Sequence, residues 1–366
     1  MKQSIILLLV LSAWGQNRLQ PPLQVGQRVQ ASLESGQTSA YVLELKKNQY
    51  IEVVAEQTSV DVVLRLLAPN GKQIEDVNYL GVGGTEQLIY LAEEDGNYRL
   101  EVQSAQNGRS GLYALRLTAA RVATSHDLEV SKADVQLRTL AESKSPDAAE
   151  TLERLAGEFA GFKMPQRQAV ALTLAAALQI EKKDYQHGDD DSKKALTLWR
   201  DLKDRAGEGR VLSLLGSSAY RQNQYPQAID YDEKALAIAR ALGDDRIEVV
   251  ALQVLVSVQT VTGQAAKAAT NAERVLAIKR AVKDRAGEAS ALVALGYAHF
   301  GLTHHEIALG YYEQALPIAR AVGDRSIESS VLLSRTQRRA GRGHDYRKPR
   351  STLYDGWSIR EGHRLP

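Results

Sequence analysis

A chain that repeats itself at a fixed interval must stack its units, because one short unit cannot bury its own apolar face. The pentamer DRAGE stands at Asp204–Glu208 and again at Asp284–Glu288. Shifting the sequence by forty residues aligns far more than the pentamer. Leu172, Leu212, Leu252, Leu292 and Leu332 fall in one column, and Gly188, Ala228, Ala268 and Ala308 form a column of small residues. Ala195-Leu196, Ala235-Leu236, Val275-Leu276 and Ala315-Leu316 make a third column, and Leu202, Leu242, Val282 and Val322 a fourth. DRAGE is the junction between units at alternate boundaries; the intervening ones read DDRIE and DRSIE.

Each unit reads as two helices, because its apolar residues recur at helical spacing. The spacing predicts a first helix over 206–222, with Leu212, Leu215, Gly216 and Ala219 on one face. A second follows over 226–242, with Ala228, Tyr231, Ala235, Ala239 and Leu242 on one face. Pro226 suits a first helical turn. Asp204, Asp244, Asp284 and Asp324 stand where they can cap first helices. Glu208, Glu248, Glu288 and Glu328 add negative charge to the first turn, where the helix dipole favours it. The small columns let helices approach closely.

LLGSSAYRQNQYPQAIDYDEKAL and ALGYAHFGLTHHEIALGYYEQAL resemble the tetratricopeptide repeat, in a class of about forty residues. The repeats are expected over 166–337, with a helical linker or cap over 125–165. The columns then fail at Arg335 and Thr336. The segment 338–366 reads as a basic irregular tail; from Arg335 onward there are nine Lys/Arg against three Asp/Glu. Tyr346, Tyr354 and Trp357 are interleaved there, but an irregular end of the array explains the segment without a nucleic-acid partner.

Residues 21–119 are written differently. Runs such as SAYVLELK, QYIEVVAE, DVVLRLLA and YRLEVQSA alternate apolar and polar residues, and turn signals such as PNGK and EDGN separate them. Seven or eight such strands predict an antiparallel β-sandwich, with Asn70-Gly71 as a hairpin turn, because both residues tolerate positive φ. SGQTSAYVLELKKNQYIEVVAEQTSVDVVLRLLAPNGKQI and LAEEDGNYRLEVQS resemble the bacterial pre-peptidase C-terminal domain, a small jelly-roll-like sandwich of secreted proteins. Some members of that family bind calcium or polymers. Here Asp61, Glu75, Asp76, Glu94 and Asp95 match no calcium-loop spacing and read as solvated strand ends and turns. The expected fold class is therefore multidomain: an all-β, jelly-roll-like sandwich followed by an all-α tetratricopeptide solenoid.

Chemistry is scarce. Cysteine is absent, which excludes disulfides, thiolate metal sites and a cysteine nucleophile. The span 21–119 holds no histidine. His304-His305 falls in a turn and reads as solvent-facing; the acids of HGDDDS suit a helix start. No phosphate-binding, dinucleotide, zinc-protease or serine-hydrolase motif occurs. The expectation is a non-enzyme with no cofactor and no metal. At the N-terminus, Lys2, the apolar run Ile5–Leu11 and the small pair Ala13 and Gly15 read as an export signal over 1–15, hence a periplasmic or secreted protein with no membrane segment after cleavage. A net charge of +2 suggests no nucleic-acid partner.

The order signal, sandwich, repeats resembles the non-catalytic front half of bacterial CHAT (caspase-like) peptidase proteins. That resemblance admits a second expectation, a regulatory or scaffold fragment working with a downstream CHAT peptidase. The first is a protein–protein interaction module. By resemblance to tetratricopeptide proteins, a peptide-binding groove would be lined by Arg210, Ser213, Ser217, Tyr220, Arg221, Gln253, Ser257 and Tyr297, with Val250, Thr260, Ser290, Val293 and Phe300 in equivalent places.

Overall fold

The computed structural model describes residues 17–332, apart from 35, 80, 106–109, 142–144, 146 and 330. The export signal at 1–15 and the tail at 338–366 lie outside the described residues, as do Arg335 and Thr336. The chain divides into two compact units. One holds the strands, the first four helices and the fifth up to Val211, with residues 241–244; the other holds Leu212–Arg240 and the chain from Asp245.

Among the described residues nine strands come first: β1 Asn17–Leu19, β2 Arg28–Leu33, β3 Thr38–Leu45, β4 Gln49–Gln57, β5 Val62–Leu67, β6 Gln73–Val77, β7 Thr85–Leu91, β8 Gly96–Ser104 and β9 Gly111–Val122. They form two sheets, β1-β3-β8-β5-β6 and β2-β9-β4-β7. Among the described residues the named strands pair antiparallel except β1 with β3. The strands thus reach past 21–119 at both ends. Alternation puts Leu43, Ile51, Val53, Leu64, Leu100 and Leu115 into a core between the sheets. Within it the hydroxyls of Tyr41 and Tyr113 pair at 2.9 Å, so neither buried polar group goes unmet. The hairpin at Asn70-Gly71 joins β5 to β6. Only Gly71 takes positive φ; Asn70 instead accepts a hydrogen bond from the Lys72 N–H through its side chain. The loop spans three residues, closed by the Ala68 N–H on the Lys72 carbonyl, and the third position alone needs the left-handed conformation.

Helices follow without a strand among the described residues: α1 Ser125–Ala141, α2 Ala148–Gly161, α3 Pro165–Glu181, α4 Tyr185–Asp201, α5 Arg205–Arg221, α6 Tyr225–Leu242, α7 Asp245–Val261, α8 Ala265–Ala281, α9 Arg285–Gly301 and α10 His305–Val322. In the first unit, α1 covers the outer face of the four-stranded sheet. Val130 packs with Tyr50 and Ile89, and Phe162 and Met164 join them. Covering both faces explains why Glu86, Gln87, Leu88 and Ile89 are all buried in β7, where alternation would expose every second residue.

The repeats keep a finer beat than forty. Lys163, Lys183, Lys203, Asn223, Gly243, Gly263, Lys283, Thr303 and Gly323 all have positive φ, one at every twentieth residue. At Lys183, for example, the Lys183 N–H bonds the Ile180 carbonyl and the Asp184 N–H the Gln179 carbonyl. This is the Schellman closure of a helix C-terminus. The same pair of bonds recurs at 163, 203, 223, 263, 283, 303 and 323. Each repeat is thus two helices of 17 or 18 residues, each followed by a left-handed turn residue.

Every letter of DRAGE has a role at such a turn. Asp204 and Asp284 accept the N–H of Gly207 and Gly287, each at 2.8 Å, as helix caps. Ala206 is buried. A Cβ on Gly207 would strike the Trp199 ring, and one on Gly287 would strike Lys279. At the alternate boundaries Ile247 and Ile327 stand in the glycine column, and the residue eight positions earlier is Ala239 or Ala319. The pentamer therefore alternates because the neighbouring side chain alternates between large and small. Glu208 pairs with Arg200 at 2.9 Å and with Arg205; Glu288 pairs likewise with Arg280 at 2.9 Å and with Arg285. Arg240–Glu248 at 3.6 Å and Arg320–Glu328 at 2.8 Å complete the column. The glutamates thus bind back to the preceding helix as well as facing the dipole.

Leu202 and Val322 are 37% and 43% exposed, because they stand at the ends of second helices, just before the left-handed turn residue. In α6 the inward position is Asp232, with Tyr231 only half-buried.

Candidate protein-interaction surface

The first helices of the pairs, α3, α5, α7 and α9, are buried on nearly all sides, whereas the second helices keep a solvated face. In α9 every residue from Gly287 to Ala298 is buried. Close packing depends on matched sizes. A Cβ at Gly296 would enter the Tyr312 ring, and one at Gly216 would enter the Asp232 carboxylate; the same register places Val256 opposite Ala272.

This packing buries several of the residues expected to line a groove. Ser213, Ser217, Ser257 and Tyr297 are buried, as are Ser290 and Val293. Their side chains fill the spaces around the first helices: Ser257 donates to the Gln253 carbonyl, and Tyr297 meets Tyr312 edge-on at 5.7 Å. Tyr220, Arg221, Gln253, Val250, Thr260 and Phe300 remain half-exposed. Tyr220 lies 6.2 Å from Tyr225, ring to ring. Arg210 belongs to the first unit, where its guanidinium donates to the Tyr79 carbonyl.

That contact is one of several about the β6–β7 connection in the first unit. Arg167 donates to the Gln87 carbonyl and Gln166 to the Thr85 carbonyl. Arg167 also pairs with Asp134 at 2.8 Å and lies over the Tyr79 ring at 5.5 Å. Asp134 pairs with Arg138 at 3.2 Å, and Arg138 with Glu75. Asp134, Arg167 and Glu75 are all buried. Burial pushes the Glu75 carboxyl up to about 8, against the pull of Arg138. Glu75 and Asp61 are thus not solvated. Asp76 accepts from Nε and Nη2 of Arg65, each at 2.8 Å, and Asp95 from the Lys47 N–H. Sequence reading misses this network, since its members share no period.

Asp232 is the opposite case. It is fully buried, neither carboxylate oxygen has a hydrogen-bond partner, and burial alone raises its carboxyl well above the ordinary 3.8. At the far end of α9, His299 stacks on Tyr311 at 5.3 Å and Phe300 meets His305 at 4.9 Å. Burial and His304 lower the His299 imidazole. Among the described residues no His, Cys, Asp or Glu group is arranged to hold a metal ion.

The tetratricopeptide repeat family matches residues 167–241 and 248–321. No curated protein matches the chain in sequence. Among solved structures, BtubC from P. vanneervenii is 16% identical over 63% of this chain and 97% of its own, with a TM-score of 0.40. A signal transduction ATPase with numerous domains from Pyrococcus horikoshii, which carries a tetratricopeptide repeat sensor, is also 16% identical, over 63% of this chain and 36% of its own, with a TM-score of 0.48. Tripeptidyl peptidase 2 is 11% identical over 91% of this chain and 36% of its own, with a TM-score of 0.17. The helix pairs that begin at α3 are tetratricopeptide repeats, an interaction fold that follows an antiparallel β-sandwich.

Proposed function

We propose that this chain is an exported, non-enzymatic scaffold that captures an extended segment of a partner protein on its repeat helices. The tandem tetratricopeptide match over 167–241 and 248–321 carries this reading. Tyr220, Arg221 and Gln253 supply an aromatic ring, a guanidinium donor and an amide on half-exposed positions of α5 and α7. Such a set suits the carbonyls or carboxylates of an unfolded segment. Micromolar affinity, about −8 kcal/mol, is expected. Export is supported by Lys2, the apolar run Ile5–Leu11 and the small residues Ala13 and Gly15. No helix among the described residues is long and apolar enough to cross a membrane.

The test is a pull-down from the producing cell's envelope fraction, comparing the full chain with a Tyr220→Ala, Arg221→Ala, Gln253→Ala variant. Loss of a specific co-purifying protein from the variant is expected. Equal recovery by both proteins would overturn the assignment of these residues.

A further inference from the structure

We propose that the first repeats already hold a ligand, the chain's own β6–β7 connection with the start of β7, and that α3 and the start of α5 are therefore not partner surfaces. The contacts have the character of peptide recognition. Three side chains of the repeat helices donate to main-chain carbonyls of one passing segment: Arg210 to Tyr79, Gln166 to Thr85 and Arg167 to Gln87. Main-chain hydrogen bonds of this kind hold an extended chain whatever its side chains. Asp204 takes part from the acceptor side, receiving the Thr85 N–H. Arg167, only 1% exposed, cannot face solvent or a transient partner.

The receiving strand fits the same picture. β7 is an edge strand, paired on one side only, with β4. An open edge offers its carbonyls to any strand that arrives. Here the outward carbonyls of Thr85 and Gln87, two residues apart, are occupied by adjacent side chains of α3. Asp134 of α1 holds the Arg167 guanidinium from behind at 2.8 Å. Opening this contact would leave the outward Thr85 and Gln87 carbonyls and one side of the buried Arg167 guanidinium without partners, so the segment is a permanent occupant. Arg210, expected in a partner groove, is spent on this internal contact, and capture of an outside segment falls to later repeats. That last consequence alone rests on the proposed function.

The absence of cysteine allows a clean test on the full chain. Thr85→Cys and Gln166→Cys are combined and treated with a short bismaleimide. A monomeric cross-link in most molecules is expected. No cross-link, with both thiols still reactive to a mono-maleimide and the helical circular dichroism unchanged, would overturn the docking. The cross-linked protein should then recover its partner within twofold of the uncrosslinked one. A tenfold loss on cross-linking would overturn permanent occupancy, because binding would then need the segment released. If neither form recovers a partner, the proposed function fails and the cross-link still decides the docking.

Discussion

Arg167 and Arg280 both bind carboxylates beside a helix, yet they work in different surroundings. Arg167 is 1% exposed and serves Asp134 and a sheet edge. The Arg280 side chain is 51% exposed and serves Glu288 at the rim of a repeat. The junction of α1 and α3 with the sheet thus uses buried, mutually compensated charge to join elements that no periodicity relates. The repeats use one half-solvated pair, copied at every boundary. A buried pair contributes little net stability but makes its rupture costly, and a solvated pair contributes little either way. The difference teaches where each region can be broken.

The largest effect should come from Arg167→Leu. It leaves Asp134 buried with only Arg138 to meet it, and removes the donor to the Gln87 carbonyl. A loss of about 3–5 kcal/mol is expected in denaturant unfolding. Next comes Gly296→Leu, which drives a side chain into the Tyr312 ring. Overpacking should cost about 1–3 kcal/mol, read as a lower melting temperature; an unchanged one would show that α9 and α10 separate easily.

Asp232→Asn tests the one unpaired buried charge described above. The folded-state carboxyl is raised above 3.8, so its favourable contribution is complete below that pH and is lost as pH rises toward the folded-state value. Wild-type stability should therefore fall with pH in this window. The variant should fall less, and should be the more stable protein at neutral pH by about 1–2 kcal/mol. Melting curves across pH check this, and parallel curves would contradict it.

Arg280→Ala should cost less than about 1 kcal/mol, and high salt should erase the difference. Lys203→Gly should have the smallest effect and the opposite sign. Lys203 is exposed and has φ of 57°, a left-handed conformation that costs a side-chain-bearing residue about 1 kcal/mol. A gain of about 0.5 kcal/mol is expected after the greater freedom of glycine in the unfolded chain is counted.

Periodicity makes the repeats legible in the sequence alone. Leu215, Leu255 and Leu295 are buried as their column requires, and Asp204, Asp284 and Asp324 cap their helices. The twenty-residue beat is harder to read because lysine stands where glycine would mark the turn. The column of Arg200, Arg240, Arg280 and Arg320 is visible at the forty-residue shift, but a cation near a helix end needs no partner to explain it. The groove residues are harder still. Ser213, Ser217 and Ser257 are small and polar, and nothing in the sequence separates a serine packed between helices from one facing a ligand. Glu75, Asp134 and Arg167 are out of its reach, because their association depends on how α1 and α3 meet a sheet.

Hydrogen exchange on the full chain, read peptide by peptide, tests the contrast most directly. Arg167→Leu and Arg280→Ala are compared with wild type under native conditions. The account predicts that Arg167→Leu speeds exchange at least tenfold in β7 and α3 together, while Arg280→Ala changes only the turn between α8 and α9. Faster exchange in α3 with β7 unchanged would contradict it, since the sheet edge and the helix would then be independent of each other.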